Sequence, residues 1–116
     1  MDTARITAEH LHEHGIHAVT FVDSYLDLPM VHITQTRSER SDLFGLDTLT
    51  LTGYAPNRTD ALDAVEEALA LADGRPVFSV KYGLIDRLER LSAPVPTTFV
   101  DDLMAASAEI TAEYRL

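Results

Sequence analysis

The sequence contains no cysteine. That excludes disulfides, thiol catalysis and zinc sites built on Cys. No apolar run approaches the ~20 residues that a helix needs to span a bilayer. Basic residues are scarce: 9 Lys and Arg stand against 19 Asp and Glu, for a net charge of −10. Most of the basic residues lie between Arg37 and Arg90 and alternate with acids, so no stripe exists to neutralise phosphates. Direct grip on DNA or RNA is therefore not expected. The acidity suits solubility, and a sharper reading is a surface that repels nucleic acid passing nearby. The opening MDTARITAEH lacks the basic, apolar and small-residue order of a signal peptide, so synthesis and assembly inside a cell are expected.

What is present is ordinary globular material. At 116 residues, with 46% hydrophobic and 24% charged residues, the chain reads as one domain over 1–116 with a core of its own. TARITAEHLHEH, residues 3–14, predicts a short helix that Thr3 can cap and Gly15 can stop. IHAVTFVDSY and PMVHITQTR alternate in the manner of strands, and the short connection between them suggests a hairpin. In the second of these, Val31 and Ile33 share one face, and His32 and Thr34 the other. LDTLTLTGY is a third strand, with Leu49 and Leu51 opposite Thr48, Thr50 and Thr52.

RTDALDAVEEALALADG predicts an amphipathic helix. Ala61, Leu62, Val65, Ala68, Leu69 and Ala72 form its apolar stripe, Asn57 or Thr59 caps it, and Gly74 and Pro76 end it. PVFSVKY is a fourth strand. LIDRLERLSAPVPTT, residues 84–98, accommodates either a helix on Leu84, Leu88 and Leu91 or a bent strand, with APVP extended. MAASAEITAEYRL has helix-favouring residues, yet every second residue is apolar from Met104 to Leu116. Propensity is worth only tenths of a kcal/mol per residue, so the alternation predicts a strand over 105–114 that closes a sheet. The expected fold is α+β. A single mixed, mostly antiparallel sheet of five to six strands packs on one long amphipathic helix and a short N-terminal helix.

Residues that could carry chemistry do not converge. His10 and His14 stand four apart on the first helix, but H-E-x-x-H is absent and no third ligand is in sight, so no metal is expected. LTGYAPNRTDAL joins a strand to a helix with a single glycine, not a nucleotide fingerprint, and Asp60 and Asp63 would repel an anion there. The carboxylates Asp23 and Asp27, and the adjacent Asp101 and Asp102, form no marked acid–base pair. No serine has G-x-S-x-G surroundings. No catalytic residue and no cofactor is expected, and the chain is not read as an enzyme. Tyr54, Tyr82 and Tyr114 read as packing residues.

RSERSDLFG, residues 37–45, predicts an exposed loop. Leu43 and Phe44 at its end are expected to tuck back onto the core; the other reading makes them a hook for a partner.

The order of elements, the chain length and the acidity together resemble the tail terminator proteins of long-tailed bacteriophages. The resemblance rests on TARITAEHLHEHGI, AVTFVDSYLDLPMVHITQTR, the loop after it, LDTLTLTGYAP, RTDALDAVEEALALAD, PVFSVKY and SAEITAEYRL. It implies a virion protein, assembled in the host cytoplasm, that forms a homohexameric ring on the tail tube. Such a ring stops tube polymerisation and receives the head. The implied partners are further copies of the chain, the tail tube protein and a head-proximal neck or connector protein. DNA passes through the ring without specific binding, and no membrane is involved. Arg37, Arg40, Leu43 and Phe44 become candidate partner contacts. The alternatives are a head–tail connector of the same neck, or a small cytoplasmic α+β domain for ligand binding or oligomerisation.

Overall fold

The computed structural model describes residues 1–22, 27–100 and 103–116. Asp23, Asp101 and Asp102 lie outside that set. The chain is α+β, and its described residues form two helices and a mixed six-stranded sheet. Among the described residues no helix is long and apolar enough to cross a membrane.

Three strands form the body of the sheet: β2 (Met30–Arg40), β3 (Phe44–Ala55) and β8 (Leu103–Arg115). β3 lies between β2 and β8, antiparallel to both. The alternation seen in the sequence sorts the two faces. Val31, Ile33, Leu49, Leu51, Ala106, Ala108, Ile110 and Ala112 are buried beneath the helices. Thr34, Thr50 and Glu109 follow one another across the opposite face, and so do His32, Thr52 and Ser107. Among the described residues no helix covers that second face; its side chains shelter one another, as in Thr52 and Ser107, whose hydroxyls lie 3.1 Å apart.

Helix α2 (Arg58–Ala72) lies on β3 and β8. Asn57 caps it, its side-chain oxygen accepting the Asp60 N–H at 2.9 Å. Ala61, Val65, Ala68, Leu69 and Ala72 are its buried residues. Gly53 sets how close it comes: a Cβ there would sit 2.7 Å from Val65 Cγ2 and 2.8 Å from the Ala61 carbonyl oxygen. Helix α1 (Thr3–Glu13) packs beside it and against β2. Its cap is Asp2 rather than Thr3; the Asp2 carboxylate accepts the Arg5 N–H at 3.1 Å. Thr3 is buried instead and turned to other use.

Three expectations are corrected. The first strand pair is not a hairpin. β1 is only Ala18–Val19 and runs parallel to β2, Ala18 opposite Val31. The Val31 N–H donates to the His17 carbonyl at 2.9 Å, so the two strands start at the same end, and the link from Thr20 to Pro29 is too long for a tight turn. Residues 37–45 are not a loop. Arg37–Arg40 continue β2 and Phe44–Gly45 open β3, leaving Ser41–Leu43 as the turn. Backbone pairing and hydroxyl bonds hold this polar stretch in the ladder without apolar alternation.

PVFSVKY does not join the main sheet. β4 (Val77–Ser79) pairs with β5 (Gly83–Ile85) as a separate two-stranded unit. The C-terminal strand forms as expected, as β8 over Leu103–Arg115, and it lies inside the sheet. β6 (Arg87–Arg90) and β7 (Val95–Val100) line its far side, so both of its edges are taken within the chain. The ambiguous segment 84–98 is short strands joined by irregular residues, and not a helix. Leu88 is buried while Leu84 and Leu91 face outward, so no helical stripe forms.

Candidate functional site

The β2–β3 hairpin extends the sheet into an arm. A bulge between Gln35 and Arg37 shifts the phase of β2. Beyond it, Arg37 faces Thr48 on the uncovered side, and Ser38 faces Asp47 on the helix side. Asp47 is buried, and its carboxylate accepts the Thr3 hydroxyl at 2.6 Å, the Ser38 hydroxyl at 2.7 Å and the Tyr114 hydroxyl at 3.4 Å. These bonds tie the arm to α1 and β8 at once. The Tyr114 ring lies where Gly45 has no side chain; a Cβ on Gly45 would come 2.2 Å from ring carbon Cζ.

Ser41 closes the turn. Its N–H donates to the Phe44 carbonyl at 2.9 Å, and its hydroxyl oxygen accepts the Phe44 N–H at 3.1 Å. The consequence is that Leu43 and Phe44 point away from the core. They are 67% and 46% exposed, which overturns the expectation that they fold back onto it. Leu116 joins them at the tip, its N–H donating to the Leu43 carbonyl at 2.9 Å.

The other two candidate contacts differ. Arg40 and Phe44 line one shallow hollow of about 340 Å³ with Leu46 and Glu113. Arg37 is outside that hollow and forms an exposed ion pair with Glu39 at 2.5 Å. No protein-family model matches this sequence, and no curated protein matches it. The arm therefore has to be judged on its own geometry.

Elsewhere the candidate chemistry stays dispersed. His10 and His14 are in ring contact at 4.5 Å, but His10 Nε2 bonds the Leu71 carbonyl and His14 Nδ1 the His10 carbonyl. Among the described residues no group of three or more His, Asp or Glu is placed to hold a metal. The start of α2 borders a cleft of about 450 Å³ lined by Asp27, Asp60, Asp63 and Glu67. Their charge makes it hostile to anions, as expected of that helix start.

Tyr114 is a packing residue, as its alternation implied. Tyr82 is more than that: the Arg5 guanidinium lies 4.8 Å and the Lys81 amine 5.4 Å from its ring centre. Nothing in the local sequence signals this, because residues 5 and 82 meet only through the docking of β4 and β5 on α1. The sequence reading also missed Asp47, whose partners lie 9, 44 and 67 residues away. The exposed apolar trio Phe78, Val80 and Leu84 was legible in principle, since Val77 and Ser79 alternate with Phe78 and Val80.

Proposed function

We propose that this chain is a structural subunit of a phage neck, a tail terminator that assembles as a homohexameric ring on the tail tube and receives the head. The observation that carries the reading is the arm. An internally braced hairpin presents two large apolar side chains to solvent, which suits a surface that another subunit or tube protein covers.

Two further features agree with it. In this reading α2 is the long amphipathic helix that backs the sheet, leaving the uncovered threonine- and glutamate-bearing face to neighbours or to the bore. The excess of negative charge keeps DNA from adhering to the ring as it slides through. The partners are further copies of the chain, the tail tube protein and a head-proximal neck protein, and Arg40, Leu43 and Phe44, with Arg37 at their rim, are the candidate contacts. The location is the virion, after assembly in the host cytoplasm.

The test is assembly itself. Native mass spectrometry and negative-stain images of the purified chain, alone and with tail tubes, should show a six-membered ring capping one tube end. A chain that stays monomeric and never binds tubes would sink the reading. Binding to portal complexes rather than tubes would favour a connector of the same neck.

A further inference from the structure

The chain carries a second surface that complements the arm tip in apolar character and charge. A groove of about 410 Å³ runs between α1 and β1, lined by Arg5, Ala8, Val19, Thr20, Phe21 and Tyr82 among others. Its apolar floor ends in Phe21, which is 72% exposed. Arg5 lines it, and Lys81 lies beside it, near the ring of the lining residue Tyr82. Among the described residues neither forms an ion pair, although the chain has ten more acids than bases. The carboxylate in the groove, Glu9, is bonded by the Ser79 hydroxyl at 3.3 Å. Two cations with no ion pair among the described residues, beside an exposed aromatic side chain, fit a segment that is apolar and acidic together. The arm tip, Asp42-Leu43-Phe44, is such a segment: exposed throughout, with Asp42 in no ion pair among the described residues.

We propose that the arm tip of one copy seats in the α1–β1 groove of the next, with Asp42 on Arg5 and Lys81, and Leu43 and Phe44 on Val19, Phe21 and Tyr82. A chain cannot satisfy its own groove in this way. From His32, the last β2 residue paired with β1, to Ser41 the strand runs roughly 30 Å at ~3.3 Å per residue. The Asp47 bonds hold the arm in line with the sheet, so it does not fold back. The contact joins two different patches, so repeating it makes a head-to-tail series that closes into a ring when the rotation allows. The inference rests on the ring reading and specifies its joint.

The absence of native cysteine makes the test direct. Leu43→Cys and Thr20→Cys, both at exposed positions, are prepared as separate proteins. They are mixed at a concentration where sedimentation shows the parent chain assembled, and treated with a short bis-maleimide. One-to-one products containing one copy of each variant are expected, with little product from either variant alone. The protein carrying both cysteines should give a ladder. Crosslinking of Leu43→Cys to itself would mean that two tips meet, and would overturn the joint. An assembled parent with no mixed product would also overturn it, while leaving the ring reading standing. A parent that stays monomeric alone and on tail tubes removes both. As a second measure, Asp42→Lys should weaken self-association about tenfold or more, and Arg5→Glu in the same chain should restore part of it.

Discussion

The Thr3 hydroxyl donates to the Asp47 carboxylate at 2.6 Å, joining the first turn of α1 to the arm across 44 residues. Among the described residues no cation bonds Asp47; its donors there are three hydroxyls, from Thr3, Ser38 and Tyr114. Removing the acceptor therefore strands three polar groups together. Asp47→Ala is expected to cost about 2–4 kcal/mol, and Thr3→Val, which removes one donor and keeps the volume, about 1–2 kcal/mol. Urea unfolding of both variants checks the order, and equal costs would mean that Thr3 matters only as packing.

Gly53 is expected to be intolerant for a different reason. Gly53→Ala forces its Cβ against Val65 Cγ2 and the Ala61 carbonyl oxygen. A side chain can shift, but helix backbone moves only with the whole of α2. The expected loss is about 1–3 kcal/mol. Val65→Ala in the same chain should relieve little of the strain, since the carbonyl contact stays; thermal unfolding of the two variants tests this.

The α2 cap gives a smaller, cleaner effect. Asn57→Ala removes the acceptor for the Asp60 N–H and should cost about 1 kcal/mol. Asn57→Ser keeps an acceptor and should recover most of that, read from the same unfolding midpoints.

The arm tip should behave in the opposite way to these three sites. Leu43→Ser with Phe44→Ser removes exposed apolar surface, so the folded subunit should hold its stability within about 0.5 kcal/mol. Self-association, measured by sedimentation, should fall sharply. A loss of stability with unchanged association would place these side chains in the fold instead of an interface.

Much of this architecture was legible because burial imposes a period. Leu49 and Leu51 against the threonines and Ala106 to Tyr114 in β8 fall on the expected faces, and Ala61, Val65, Ala68, Leu69 and Ala72 of α2 are buried, with Leu62 only partly so. The failures occur where local pattern carries no such constraint. The polar residues Arg37 to Arg40 are strand because β3 lies beside them, not because they alternate. A two-residue β1 has too few residues to show a period, and its parallel pairing is set by where α1 ends. The candidate site was half legible. Leu43 and Phe44 stand out in an otherwise polar stretch, but their outward direction depends on the Ser41 turn. The Arg5–Tyr82 wall is invisible until distant segments meet.

The place of β8 bears on synthesis. Its three partners, β3, β6 and β7, all precede it in the chain, yet it lies between them. A ribosome-bound chain that has not released residues 103–115 holds a split sheet, with one long edge of β3 open and no strand to bridge it to β6. The contacts that complete the core are long-range and come last. The sheet can therefore be completed only after this segment emerges.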